Sequence, residues 1–224
     1  MTRSLVALVA LVLAMAGACN TGAGAPPNPP AAASGSAVAP GSAAPASAPA
    51  GSGTASGTCP TSAPPPLPAG QKRLVTIQTS KGTIAITVEA DLGPKAAGNF
   101  VALASCGFYK GLVFHRLVPG FVIQGGDPKG TGAGGPGYQF ADDPVTVPYT
   151  RGVVAMANAG PDTNGSQFFI VLADSSLAPT YSVFGRVTSG MEAVDAIAAM
   201  PNSGAPDNTA LNPVGMDKVT VSTP

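Results

Sequence analysis

The stretch Leu112–Asp127, LVFHRLVPGFVIQGGD, decides how this chain folds. It reads as two short strands joined at Pro119-Gly120. Val113, Phe114, Leu117 and Val118 have the β-branched and aromatic character of a buried sheet, and Phe121, Val122 and Ile123 repeat it. Two polar side chains interrupt the apolar run, Arg116 inside the first strand and Gln124 at the end of the second. Arginine is rarely buried without a partner, and two explanations stand open. Either Arg116 lies on an edge strand with its stem on the sheet and its head in water, or its guanidinium stands at the wall of an apolar pocket, aimed at a ligand carbonyl, with Gln124 as its amide neighbour. Strand alternation puts Val122 and Gln124 on one face and sends His115 away from Arg116. The Pro-Gly turn resets the register, so spacing does not assign Phe121 to a face.

Working outward, the preceding segments Leu74–Thr79 and Gly82–Glu89 alternate well and are joined at Ser80-Lys81-Gly82, a hairpin. Pro94 opens a helix whose apolar positions are Ala97, Phe100, Val101 and Ala104. After the central stretch comes a glycine-rich loop, Gly130–Gly137. It contains a GxGxxG match at Gly130, Gly132 and Gly135, but Pro136-Gly137 blocks the helix a dinucleotide site requires. The loop instead reads as backbone able to approach a ligand closely. Val153–Ala157, Gln167–Leu172 and Val183–Val187 read as strands, with Gly160–Ser166 as a loop. Ser189 is expected to cap a second helix, with Met191, Val194, Ile197 and Ala198 on one face. Asp217–Ser222 closes the sheet. Many short strands and two helices predict an all-β barrel or sandwich.

The chain of 224 residues divides by composition. Half of its 24 prolines lie between Pro26 and Pro68. Net charge is zero and no basic run occurs, which gives no footing for nucleic acid or an anionic membrane surface. Residues 1–18 read as a signal segment: Arg3 precedes an apolar run, Leu5–Ala16, too short to span a bilayer. Two processing outcomes compete. Ala14-Met15-Ala16 offers cleavage after Ala16, which would release a secreted protein. Met15-Ala16-Gly17-Ala18-Cys19 resembles a bacterial lipoprotein box with lipidation of Cys19, and more than one acyl chain there would anchor the protein stably. The second is the expectation adopted here. Residues 19–70 are low in complexity, built of Ala, Pro, Ser, Gly and Thr, and read as a spacer ahead of a domain over 71–224. Lipidation would leave Cys59 and Cys106 as an even pair, able to form a disulfide in an oxidising compartment or to remain two thiols.

The central stretch, as FHRLVPGFVIQGGD, resembles one signature of the cyclophilins, the peptidyl-prolyl cis-trans isomerases. Met156–Ile170, MANAGPDTNGSQFFI, resembles the family's other signature. The resemblance runs from Arg73 to Val221. It implies a closed eight-stranded antiparallel barrel with a helix over each end, acting without cofactor or metal on X-Pro bonds of exported or surface polypeptides, as a monomer. It implies Arg116, Phe121 and Gln124 as the catalytic set, with Val122, Phe169 and Leu177 around the proline ring. Ala157, Asn158 and Gln167 would hold the peptide backbone, Asn158 by main-chain bonds. Val122 stands where methionine is usual. Ser176 takes the place of a frequent tryptophan and Tyr181 that of a frequent histidine. The tryptophan's loss argues against tight cyclosporin binding without removing catalysis.

Isomerisation needs no bond making. Amide resonance sets a barrier of ~18–20 kcal/mol, and twisting localises a lone pair on the prolyl nitrogen. A donor aimed there favours the twisted state over the planar one. Two other readings compete. A hydrolase would need His115, the sole histidine, with no obvious carboxylate beside it. It would also need Ser166, which lacks a GxSxG setting. Asp127, Asp142 and Asp143 lack metal-ligand spacing and read as turn caps. The other alternative is a non-catalytic module that binds proline-containing segments. A further expectation is that the pairs Ala39-Pro40, Ala44-Pro45 and Ala48-Pro49 weakly occupy the site.

Overall fold

The hairpin signals and apolar runs become nine strands and two helices in a computed structural model, which describes residues 57–224. The expected signal segment 1–18, Cys19 and residues 20–56 of the expected spacer lie outside the described residues. The elements in order are β1 (Lys72–Thr79), β2 (Gly82–Glu89), α1 (Pro94–Ser105), β3 (Val113–Val118), β4 (Val122–Gly125), β5 (Val153–Met156) and β6 (Phe168–Val171). They continue with β7 (Val183–Ser189), α2 (Met191–Ala198), β8 (Thr209–Gly215) and β9 (Lys218–Ser222). Among the described residues no helix is long and apolar enough to cross a membrane.

All strands join one antiparallel sheet, in the order β8-β3-β4-β6-β5-β7-β2-β1-β9. This corrects the expected closed eight-stranded barrel. The sheet curls into an open half-barrel whose two edge strands, β8 and β9, do not pair with each other. The ninth strand is β8, TALNPVG, which carries Asn, Pro and Gly and so gives no strand signal. Proline cannot donate to a ladder and is tolerated at a sheet edge, which is where β8 lies.

The concave side holds the main core. Ile77, Ile84, Ile86, Leu117, Ile123, Ile170 and Phe184 are buried there beneath α1 and α2. Phe100 on α1 anchors it, with ring centroids 5.1 Å from Tyr109, 5.1 Å from Phe168 and 4.7 Å from Phe184. The convex side of the middle strands is buried too. Val122, Val153, Ala155, Phe169, Val171 and Val183 form a second cluster with Tyr149. This double burial explains why β5 (VVAM) and β6 (FFIV) read as continuous apolar runs rather than alternating ones.

Three further expectations change. Ser189 does not cap α2: it ends β7, and Gly190 stands at the cap with φ 90°, a left-handed conformation that suits glycine, with no side-chain cap bond. A β-bulge separates Phe114 from Arg116, so strict alternation fails at His115. The extra residue lets Phe114 face the concave core while Arg116 pairs across to Gln124. Finally, part of the stretch read as spacer packs against the sheet domain. Leu67 is buried in the main core and its N–H donates to the Pro94 carbonyl at 2.9 Å. The backbone of Pro65–Leu67 lies where any Cβ on Gly98 would collide with it. Cys59 is disulfide-bonded to Cys106, just past α1, with S–S 2.07 Å. Low-complexity composition misses this strap because prolines and one leucine can pack on a helix face without any periodicity.

Candidate active site

Register places the site. On the convex face Arg116 is opposite Gln124, Gln124 is opposite Phe169, and Phe169 is opposite Ala155, one row across β3, β4, β6 and β5. The next row is Val118, Val122 and Val171. A cation and an amide therefore stand at the rim of an apolar sheet face. Above them is a cavity of about 290 Å³ lined by Arg116, Phe121, Val122, Gln124, Ala157, Asn158, Phe169, Leu177 and Tyr181. Phe121, which spacing could not assign, joins this face from the turn before β4.

The arginine is positioned from two sides. Its Nε donates to the Asp207 carbonyl at 3.2 Å, and Nη1 approaches Gln124 Oε1 at 3.5 Å. A guanidinium has five N–H donors, so the rest are left for the cavity it lines. Gln124 is fixed in turn, its Nε2 donating to Gln167 Oε1 at 2.9 Å. Gln167 Nε2 donates to the carbonyls of Gly132 and Gly134, both at 2.9 Å. The glycine-rich loop is thus the outer support of Arg116. Asp127 holds that loop: its carboxylate accepts from the N–H groups of Lys129 (2.7 Å), Thr131 (2.9 Å) and Gly132 (2.6 Å). Burial alone would push this carboxyl up. The backbone donors of Lys129, Gly134, Thr131 and Gly132 outweigh that and hold it below the usual carboxylate value.

The apolar floor is braced by an aromatic cluster. Phe169 and Tyr181 meet edge to face at 5.6 Å, and Tyr149 lies 6.5 Å from each. The Tyr149 hydroxyl donates to the Tyr181 carbonyl at 2.9 Å and accepts the Tyr181 N–H at 3.0 Å. Sequence reasoning missed Tyr149. Its signal was an aromatic residue in a loop, which spacing cannot place. Asn158 spends its side chain on loop backbone, donating to the Thr180 carbonyl of the β6–β7 loop at 2.8 Å and accepting from the Gly160 N–H of its own loop at 3.3 Å. Among the described residues its backbone N–H and C=O have no backbone partner, which leaves them available to an extended peptide. Ser176 is exposed and does not line the cavity.

Beside this cavity, and sharing Gln124, Ala157 and Asn158 with it, lies a larger one of about 590 Å³. The loop Gly132–Gly137 and Tyr138 wall it on one side, Thr163 and Gly165–Gln167 on the other. The glycine loop therefore does bring backbone to a cavity, as its composition suggested.

Of the groups a hydrolase would need, Ser166 is engaged elsewhere and His115 is buried without a bond to it. Ser166 is buried and donates to the Gly126 carbonyl at 2.7 Å. His115 is buried, and neither ring nitrogen has a partner in hydrogen-bond geometry among the described residues. Burial lowers its pKa, against weaker pulls from Asp127 and the Val113 backbone. Asp143 accepts from Ala96 N–H at 2.8 Å and Lys95 N–H at 3.3 Å, closing the first turn of α1, where Gly93 has no capping side chain. Asp142 accepts from Asn164 at 2.6 Å and from the Asp162 N–H at 3.0 Å. Among the described residues no three His, Cys, Asp or Glu side chains converge as a metal site needs.

Residues 74–221 match the family described as cyclophilin type peptidyl-prolyl cis-trans isomerase/CLD. The probable peptidyl-prolyl cis-trans isomerase A of Mycobacterium leprae is 41% identical over 175 residues, covering 68% of this chain and 93% of that one. Peptidyl-prolyl cis-trans isomerase B of Streptomyces anulatus is 42% identical, covering 66% and 95%. Among solved structures, the cyclophilin type isomerase of Cryptosporidium parvum in the presence of the dipeptide Ala-Pro superposes with TM-score 0.62 at 34% identity, over 67% of this chain and 99% of that one.

Proposed function

Because this chain belongs to the cyclophilin-type peptidyl-prolyl cis-trans isomerases, a family of enzymes acting on X-Pro bonds, we propose that Arg116 is its catalytic donor. The substrate's proline ring sits on Phe169 among Phe121, Val122 and Leu177, and Tyr181 closes the side. The backbone of Asn158 pairs with the extended peptide, and Gln124 holds the substrate carbonyl. With the ring clamped, the remaining peptide turns about the imide bond. Twisting removes resonance and pyramidalises the nitrogen, which then accepts a hydrogen bond from Arg116 that the planar form cannot accept. By analogy with other preorganised donors, this contributes ~3–4 kcal/mol, a factor of roughly 10²–10³.

The observation that carries this reading is the row Arg116–Gln124–Phe169: a permanent cation, held by an amide chain, at the edge of an aromatic floor of proline size. The C. parvum structure was obtained in the presence of Ala-Pro, which is in keeping with an X-Pro ligand for this pocket. The chain acts as a monomer on exported or surface polypeptides, tethered by a lipid on Cys19 at the end of its spacer. The apolar run Leu5–Ala16 and the box ending at Cys19 support this placement. Mass determination of the mature N-terminus tests the lipid. Comparison of wild type with Arg116→Ala in a peptide isomerisation assay tests the donor, and equal rates would leave a proline-binding module instead.

A further inference from the structure

The carbonyl that holds Arg116 Nε belongs to Asp207, in the loop joining α2 to β8. The next residue, Asn208, is buried and has φ 52°, in the left-handed region. Few residues other than glycine occupy that region, and asparagine is one that accepts it. We propose that Asn208 is a positioning residue for Arg116. Its left-handed backbone turns the Asp207 carbonyl onto Nε and so fixes which guanidinium N–H groups face the proline pocket. The inference rests on the reading of Arg116 given above.

Strand geometry is what requires a left-handed residue here. In an extended strand the carbonyls of successive residues point to opposite edges. At the start of β8 two successive carbonyls both serve β3. The Asp207 carbonyl accepts from Arg116 Nε at 3.2 Å, and the Asn208 carbonyl accepts from the Leu117 N–H at 2.9 Å. Successive peptide units point the same way when the residue between them is helical, of either hand. The loop is closed in the manner of a hairpin: the Ser203 N–H donates to the Thr209 carbonyl at 2.9 Å, and the Thr209 N–H donates to Ser203 Oγ at 3.0 Å. A left-handed residue after such a turn returns the chain to a strand, and Thr209 then stands opposite Arg116.

Two bonds hold Asn208 in place. Its N–H donates to the Gly204 carbonyl at 2.8 Å, and its Nδ2 donates to the Pro206 carbonyl at 3.1 Å. Asn208 does not line the proline cavity, so it acts through Arg116. The guanidinium is a planar fork held at Nε by Asp207, with Nη1 3.5 Å from Gln124 Oε1. Without the Asp207 carbonyl it is free to swing about Gln124. The floor of Phe121, Phe169 and Leu177 is untouched by that change, so peptide binding stays while turnover falls.

The test is an isomerisation assay on an Ala-Pro peptide with Asn208→Gly, Asn208→Ala and Asn208→Val, together with nitrogen NMR of proton exchange at Arg116 Nε. All three variants lose the amide side chain. They differ in how well they accept positive φ: glycine freely, alanine poorly and valine least. The expected kcat order is therefore Gly above Ala above Val. Glycine should exceed valine by roughly tenfold, the worth of one hydrogen bond to a charged group. KM should stay the same, and the Nε proton should exchange faster in the same order. Equal falls in all three variants would assign the effect to the lost side-chain bond and overturn the proposal, as would no fall in any. If Asn208→Val does not fold, the ratio of Gly to Ala decides in its place. In an Arg116→Ala background, Asn208→Ala is expected to cost nothing further. An undiminished cost there would mean that Asn208 does not act through Arg116. A slow Arg116→Ala beside Asn208 variants that keep the full rate sinks this proposal alone, whereas an Arg116→Ala within a factor of two of wild type sinks the reading of the pocket itself.

Discussion

Arg116 and Gln124 face each other directly across β3 and β4, with Nη1 3.5 Å from Oε1, and this pairing exists because a bulge removes His115 from the register. Without the bulge, one residue of slip would turn the guanidinium into the concave core and a different side chain toward the pocket. The geometry proposed for catalysis thus depends on a local irregularity, and each support behind it can be removed separately.

Gln167 is the link between Gln124 and the glycine loop. Gln167→Ala removes two donations to loop carbonyls and one acceptor for Gln124. One net hydrogen bond is worth about 1 kcal/mol, so kcat/KM is expected to fall roughly fivefold to tenfold. Amide exchange at Gly132 and Gly134 should quicken in parallel. Lower activity with unchanged loop exchange would show that the loop does not support the site.

His115 sets an acid limit on stability. Its folded pKa lies below the ordinary 6.5, because burial disfavours the charged ring. The unfolded chain therefore takes up a proton first, and stability falls as pH drops below about 6.5 until the folded value is passed. Asp127 acts in the same sense at lower pH. Its carboxyl is held below 3.8, so its contribution is present above that value and is lost as pH falls through the folded one. His115→Met removes no hydrogen bond and is expected to abolish the loss between pH 6.5 and 5.5. Urea midpoints at pH 5.5 and 7.5 for both proteins provide the check, and an equal fall in each would assign the effect to other groups.

The strap gives a redox prediction. The Cys59–Cys106 bridge spans 47 residues, and closing a loop of that size stabilises by about 2–4 kcal/mol. Cys106→Ser should lower stability by that amount, and reductant should have no further effect on the variant. Since the bridge lies outside the pocket lining, kcat at a temperature where both proteins are folded should match wild type.

Much of the fold was legible because its signals are local. The hairpin at Ser80–Gly82, the helix opened by Pro94 and the apolar runs of β5 and β6 each appear in their own residues. β8 was not legible, because Asn212 and Pro213 are tolerated at a sheet edge that only topology reveals. The strap failed for a related reason: Leu67 is buried by α1, a partner its own sequence does not announce. At the site, Arg116, Phe121, Val122, Gln124, Ala157, Asn158, Phe169, Leu177 and Tyr181 do line one cavity. Gln167 lines the neighbouring cavity and reaches Gln124 from there. The bulge at His115 and the brace by Tyr149 arise from long-range register and contacts, which carry no residue-type pattern, whereas Asp127 caps its turn as its residue type suggested.

Line-shape or exchange NMR on an Ala-Pro peptide, with catalytic amounts of wild type, Arg116→Ala and Arg116→Lys, addresses the central claim most directly. The expected catalysed rate for Arg116→Ala is roughly 10²–10³ below wild type, with Arg116→Lys between them and the wild-type rate flat from pH 6.5 to 9. An Arg116→Ala protein that stays folded, binds the peptide and turns it over within a factor of two of wild type would contradict the account.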